Sequence, residues 1–303
     1  MTGQPPPPEH PDAPADLGRD EYGRLRLERL NYETYLKIPE LLRLQEGLSD
    51  PPHHDELFFI IIHQAFELWF LEMLHETDLL VIDLYGGTVS RALKVLKRLN
   101  AILNLLIHQI ELLGTLTPVE FGGFREHLKP ASGFQSVQYR EMEFAYGNRD
   151  PFFLQYFASR SGDHERLAAR LNQPSVYHAF WMALLSAGYP VPEDLLALTA
   201  GPDSHAAPRV AANADAVASL KDLYEHPGTE FHWVLLCEAM LDFDAAFAHW
   251  RRTHQLMVER TIGAKMGTGG STGAEFLKSR MDVRFFPELW AVRSQISEGL
   301  GGY

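Results

Sequence analysis

Hydrophobic residues recur with helical spacing along most of this chain, and the alternation typical of β-strands is nearly absent. The pattern predicts a short helix over 34–46, followed by two long helices over 55–84 and 90–113. Pro39 falls near the first turn of the short helix, where proline is tolerated. Asp55 is placed to cap the first long helix. That helix is apolar nearly all round, which predicts a position at the centre of the fold.

The rest of the chain continues the helical pattern. Predicted elements are two short helices over 118–129 and 134–146 around a turn at 130–133, several short helices across 150–228, a third long helix over 229–265, a glycine-rich loop at 267–273, and a last helix after Pro287. The fold class is therefore all-α. We expect a bundle of long helices with a smaller helical insertion over 150–228.

Composition supports one domain. A chain of 303 residues with 46% hydrophobic residues can bury a large core, and we assign it to 21–303, behind a proline-rich tail over 1–20 that we expect to be disordered. The tail lacks the basic and apolar regions of a signal peptide. The net charge of −13 argues against nucleic-acid or anionic-membrane partners.

Two further features bear on location. The most hydrophobic stretch, 56–76, contains Glu56, Glu67 and Glu72, so it predicts a buried helix and no membrane span. The single cysteine, Cys237, excludes an intrachain disulfide and any cysteine-based metal cluster. We expect a cytoplasmic protein.

Two histidines lie among aromatic residues on separate long helices. Phe59, Phe66 and Phe70 share a helix face with His63, and His254 is flanked at one turn by Trp250. For a single helical histidine, a core imidazole satisfied by one hydrogen bond is the more common role. A buried neutral imidazole is also the usual axial ligand of haem iron, and two such helices could enclose a flat apolar cofactor. The residues alone leave both roles open.

Arg125, in EFGGFREHL, could hold a carboxylate through two parallel hydrogen bonds. A surface ion pair is the more common role for an arginine, and we interpret Arg140 as structural for that reason. The loop GTGGSTG lacks the lysine of a phosphate-binding loop and follows a helix instead of a strand, which argues against nucleotide binding. It could instead close over a bound ligand.

Four segments, in order, resemble the tryptophan 2,3-dioxygenases. They are NYETYLKIPELLRLQ at 31–45, HDELFFIIIHQAFELWFLEMLHE at 54–76, FREHLKPASGFQSVQYREMEFAYG at 124–147, and HWRRTHQLMVERTIGAKMGTGGSTGAEFLKSR at 249–280. The series HQAFELWF, SGFQSVQYR and GTGGSTG is highly specific. The resemblance implies an enzyme that converts L-tryptophan and O2 to N-formyl-L-kynurenine, the first step of tryptophan catabolism through kynurenine.

The resemblance also implies haem b, active as ferrous haem, held between helices. His254 would be the axial ligand of the iron, and Trp250, one turn before it, would pack near the haem. Ser132 and Gly133 would lie beside the haem and the oxygen site. One protein ligand leaves the sixth position of the iron open, as dioxygen chemistry requires.

The implied substrate site uses five residues. His63 would hydrogen-bond the indole N–H, as an orienting group and not as a required base. Phe59 and Phe121 would wall the indole, Arg125 would clamp the carboxylate, and Thr268 would help to bind the ammonium group.

A further implication is a homotetramer, in which Tyr32, Tyr35 and Leu36 reach the active site of a neighbouring subunit. Two positions depart from the family pattern. Phe66 stands where a tyrosine is common, and Gly122-Gly123 should loosen the segment that carries Arg125.

Three other functions remain open from the sequence. A haem monooxygenase of the same superfamily would add one oxygen atom to tryptophan or a substituted tryptophan. A haem-based gas sensor or carrier is less favoured, because no output module is visible. The simplest alternative is a helical scaffold without a cofactor.

Overall fold

The computed structural model describes residues 30–196, 212–228, 230–270 and 272–297. Every regular element in these ranges is a helix, so the all-α prediction is confirmed. The chain divides into two compact units, Met1–Ile61 and Ile62–Tyr303. The proline-rich tail over 1–20 lies outside the described residues, and the single domain over 21–303 stays a prediction.

In the unit Met1–Ile61, the prediction for the first helix is wrong. In place of one helix over 34–46 there are two short ones, α1 (Tyr32–Leu36) and α2 (Ile38–Leu41). Lys37 separates them in a left-handed conformation, with φ 55°. Pro39 explains the break, since proline has no N–H to continue α1 but fits the first turn of α2.

The helix α3 (His54–Tyr85) begins one residue before the predicted cap, so Asp55 lies in its first turn and does not cap it. Glu56 makes the tertiary contacts here. Its buried carboxylate accepts hydrogen bonds from the backbone N–H groups of Leu48 and Ser49, at 2.7 and 3.0 Å. The loop before α3 is thereby fixed to the start of the helix.

In the unit Ile62–Tyr303, the predicted long helices are found close to their expected bounds. α4 (Val89–Leu113) packs along α12 (Phe231–Ile262). Gln109 on α4 donates a hydrogen bond of 2.7 Å to the carbonyl oxygen of Ile62, which ties α4 to α3. The buried side chains of α4 repeat every three or four residues, as the sequence pattern predicted.

The prediction of a fully buried α3 is wrong for the single chain. Leu68, Leu71 and Ile82 are exposed on one side of the helix, while other side chains of α3, such as Met73 and Leu80, are completely buried. By length and composition alone α3 could cross a membrane, a test that core helices of large proteins also pass.

The shorter helices are α5 (Pro118–Phe124), α6 (Val137–Ala145), α7 (Pro151–Tyr156), α8 (Ser161–Leu171), α9 (Val176–Ser186), α10 (Glu193–Leu196), α11 (Ala214–Glu225), α13 (Ala274–Ser279) and α14 (Pro287–Ala291), with single 3₁₀ turns at Arg125–Leu128, Gly133–Gln135 and Val292–Ser294. Of these, α7 to α11 lie within 150–228, where several short helices were predicted. α13 was not predicted, because six residues are too few to show a helical period. α6, α7 and α8 share an apolar cluster that includes Phe144, Phe153 and Leu167.

Candidate active site

Aromatic rings from three helices meet beside α12. Phe66 and Phe70 of α3 each contact Trp250 edge-on, with ring centroids 6.3 Å apart in both cases. Tyr139 of α6 lies 5.3 Å from Trp250 and stacks on Phe247 at 6.0 Å. Such contacts fix ring orientations more tightly than aliphatic packing does. The result is a rigid apolar wall at the middle of α12.

His254 follows this wall by one turn, with its ring centroid 5.4 Å from that of Trp250. Burial, together with the smaller effect of positive charge on His63 and Arg140, lowers the pKa of His254 to about 4. The imidazole is therefore neutral at pH 7. His63 meets Phe66 edge-on at 6.5 Å, and Phe66 in turn contacts Trp250, so both histidines lie against the same group of aromatic rings.

A buried cluster of charges lies behind the aromatic wall. Glu143 forms ion pairs with Arg140, Arg251 and Arg280, at 2.7, 3.6 and 4.0 Å. Burial raises the pKa of Glu143, but the three guanidinium groups outweigh it, so the pKa lies below its ordinary value. The Arg140 guanidinium also lies 3.8 Å from the centre of the Phe153 ring. Arg140 is thus structural, as predicted, but buried and not on the surface.

Two hydrogen bonds join the segment 125–131 to the loop that follows α12, which carries Thr268. The Arg125 guanidinium donates to the carbonyl oxygen of Met266, and only 15% of its side chain is exposed. The Thr268 hydroxyl donates to the carbonyl oxygen of Ala131. Phe121 lies one turn before Arg125 in α5 and meets Phe124 edge-on at 5.4 Å.

The segment around Ser132 is held by a hydrogen bond between neighbouring residues. The Ser132 side chain caps the 3₁₀ turn that begins at Gly133, accepting a hydrogen bond from the N–H of Phe134 at 3.3 Å. The turn predicted at 130–133 is present, and it faces the loop that carries Thr268.

The structure thus groups His254, Trp250 and Phe66 in one place, and Arg125, Thr268 and Ser132 around one loop. Phe59 lies one turn before His63 in α3. Phe59 and the residues Tyr32, Tyr35 and Leu36 belong to the other unit. Their part in this site stays a prediction.

Sequence reasoning missed the buried partners of the site. Arg251 lies three residues before His254, and a charged residue at a position where the helical period of α12 places buried side chains was a signal that could have identified it. Nothing in the sequence pointed to Met266, because its contact with Arg125 is made by a backbone atom.

Known proteins support the resemblance. A family model described as Tryptophan 2,3-dioxygenase matches residues 21–186 and 205–296. The tryptophan 2,3-dioxygenase of Herpetosiphon aurantiacus is 41% identical over 269 residues, covering 89% of this chain and 99% of that protein. That of Nocardioides sp. is 42% identical over 274 residues, covering 88% and 95%. That of Rhodococcus jostii is 41% identical over 271 residues, covering 89% and 93%. The resemblance inferred from the sequence is confirmed, and the chain belongs to the tryptophan 2,3-dioxygenase family.

Proposed function

We propose that this chain uses haem b and dioxygen to cleave the C2–C3 bond of the indole ring of L-tryptophan, giving N-formyl-L-kynurenine. Both oxygen atoms enter the product. Membership of the family supports this reaction over the alternatives. One observation carries the proposal: a neutral His254 imidazole lies against an aromatic wall, in an environment shared with His63.

The residues around His254 fit a haem group. Burial keeps the imidazole in the neutral form that coordinates iron. Trp250 Nε1 and Arg140 Nε are buried donors without a hydrogen-bond partner in the described part of the chain, as expected where a group from outside completes the site. His254 would hold the haem iron, and Trp250, Ser132 and Gly133 would lie beside the haem. Bound there, ferrous haem would supply the dioxygen chemistry.

The substrate assignments follow from the chemistry of an amino acid zwitterion. It needs a cation for its carboxylate, an acceptor for its ammonium group and an apolar wall for its ring. Arg125, the Thr268 hydroxyl and the Phe59/Phe121 pair supply these. His63 accepts a hydrogen bond from the indole N–H and orients the ring, so it positions the substrate and does not need to remove a proton.

The two departures from the family pattern have distinct consequences. Phe66 has no hydroxyl, and its ring meets Trp250 edge-on, so this position contributes packing and no hydrogen bond. A Cβ atom at Gly122 would meet nothing within 4 Å, so glycine is not sterically required there. Its backbone freedom loosens the segment that carries Arg125.

We propose that the active form is a homotetramer in the cytoplasm. Tyr32 and Tyr35 are 74% and 72% exposed, as residues that reach into a neighbouring subunit must be in a single chain. Leu68 and Leu71 of α3 add exposed apolar surface. Analytical ultracentrifugation of the purified protein tests the oligomer, and a monomer at micromolar concentration would contradict it.

The activity test mixes the anaerobically reduced, haem-loaded protein with L-tryptophan and air, while absorbance and product mass are followed. Ring cleavage gives a product with the mass of the substrate plus two oxygen atoms. A product that carries one oxygen atom would assign the chain to monooxygenation. A Soret band with no turnover would favour a sensor or carrier, and no Soret band a scaffold.

A further inference from the structure

Gly269 lies in the loop after α12, residues 263–270, and makes a very close approach to the segment 130–133. A Cβ atom built on Gly269 would lie 2.6 Å from Ser132 Cβ and 3.2 Å from Ser132 Oγ. The first distance is shorter than any real contact between two carbon atoms allows. Ser132 Cβ is attached directly to the backbone, so it cannot rotate away, and the loop would have to move.

Two hydrogen bonds from residues just before Gly269 accompany this contact. Thr268, the residue before Gly269, donates to the carbonyl oxygen of Ala131. Met266 accepts a hydrogen bond from the Arg125 guanidinium through its carbonyl oxygen. The loop is therefore docked on the segment 125–132 at three points, and only the last of them, Gly269, requires the absence of a side chain.

We infer that Gly269 is a positioning residue for L-tryptophan, because its contact with Ser132 holds Thr268 and Arg125 in one arrangement. The inference rests on the proposed function, in which these two residues bind the ammonium and carboxylate groups of the substrate. Displacing the loop separates the two groups, so binding is lost before chemistry begins. A loss of this kind raises KM more than it lowers kcat.

The first test needs no substrate. Lys265 is exposed at the base of the loop, so trypsin cleavage after Lys265, followed by mass spectrometry on the full-length haem-loaded protein, reports how well the loop is docked. Gly269→Ala should be cleaved faster than the wild type. Gly162→Ala is the matched control, since a Cβ atom at Gly162 in α8 meets nothing within 4 Å, and its cleavage rate should not change.

The second test is rescue. Ser132→Gly removes the side chain that an alanine at 269 would strike. The double variant Ser132→Gly/Gly269→Ala should therefore be cleaved more slowly than Gly269→Ala alone, which a general loss of stability would not produce. The cleavage rate of the Ser132→Gly single variant completes the double-mutant cycle.

The third test is kinetic. Gly269→Ala should raise KM for L-tryptophan about tenfold or more, with a smaller fall in kcat and an unchanged Soret band. Wild-type rates of cleavage after Lys265, an unchanged KM, or no rescue by Ser132→Gly would each overturn the inference. Failure of the proposed function is a different result, since wild-type protein would then form no N-formylkynurenine while the differences in cleavage persist.

Discussion

The ring of Trp250 lies one turn before that of His254 in α12, with 5.4 Å between centroids and 37° between ring planes. Phe66 and Phe70 also contact the Trp250 ring edge-on, each with centroids 6.3 Å apart. Because Trp250 cannot rotate without disturbing both phenylalanines, its ring also limits the orientations open to the imidazole. An imidazole that is already held in one orientation loses less conformational entropy when it binds iron.

Replacing His254 by alanine should abolish haem binding, because no other described side chain takes the place of its neutral imidazole in the aromatic wall. The measurement is the ratio of Soret to protein absorbance after expression with ample haem. His249→Ala is the matched control, as His249 is exposed on the same helix. Full haem retention in His254→Ala would rule out the axial assignment.

His63→Ala should lower kcat/KM by about tenfold to a hundredfold and leave measurable activity. That range corresponds to the loss of one hydrogen bond to the substrate, and general-base catalysis would account for more. Initial rates of N-formylkynurenine formation measure it. His108→Ala, an exposed histidine on α4, should behave as wild type. Complete loss of activity with haem still bound would make His63 a required base.

Arg125→Lys should raise KM for L-tryptophan by about tenfold, because lysine keeps the charge but loses the paired N–H groups that match a carboxylate. Steady-state kinetics at saturating oxygen measure the change. Lys129→Met, which removes an exposed neighbouring cation, is the control and should have little effect. An equal rise in KM for both variants would indicate general electrostatic attraction instead of a clamp.

The sequence predicted those parts of the fold that depend on long periodic patterns. The bounds of α4 and α12 agree with the structure to within about three residues at either end. The first helix was wrong because the break at Lys37 depends on a left-handed backbone conformation, which hydrophobic spacing does not reveal. Short elements such as α13 carry too few residues for any period.

In the site too, some contacts could be predicted from helical spacing and others could not. His254 and Trp250 could be paired from their spacing in one helix, since residues four apart share a face. The contact of Arg125 with Met266 and the approach of Gly269 to Ser132 join distant segments through backbone atoms and an absent side chain. Neither has a pattern in the sequence, so only tertiary structure could supply them.

Asp244 fixes the segment before α14 to α12. Its fully buried carboxylate accepts hydrogen bonds from the N–H groups of Phe285 and Phe286 and from Trp290 Nε1, at 3.0–3.1 Å. Asp244→Ala leaves three donors without an acceptor, which should lower the free energy of unfolding by about 3 kcal/mol or more. Thermal denaturation followed by circular dichroism measures the loss. Asp242→Ala, at an exposed position on the same helix, should change Tm little.

Because the pKa of Glu143 is lowered in the folded protein, we expect the free energy of unfolding to depend on pH. The Glu143 carboxylate faces Arg140, Arg251 and Arg280, and its pKa lies below the ordinary value of 4.5. A group whose pKa is lower in the folded protein than in the unfolded chain stabilises the fold above the unfolded value. That stabilisation is lost as pH falls through the folded pKa.

Glu143→Gln should therefore lower the free energy of unfolding by about 3 kcal/mol at neutral pH, since it removes the anion nearest to the buried guanidinium groups of Arg140 and Arg251, while Arg280 keeps its ion pair with Asp150. As pH falls below 4.5, the carboxylate is protonated first in the unfolded chain and, at lower pH, in the folded protein. The difference in Tm between the two proteins should therefore shrink as pH falls toward the folded pKa. Glu111→Gln, at an exposed position, should match wild type throughout. A gap between Glu143→Gln and wild type that stays constant down to about pH 3 would mean that the charge of Glu143 does not provide the stabilisation.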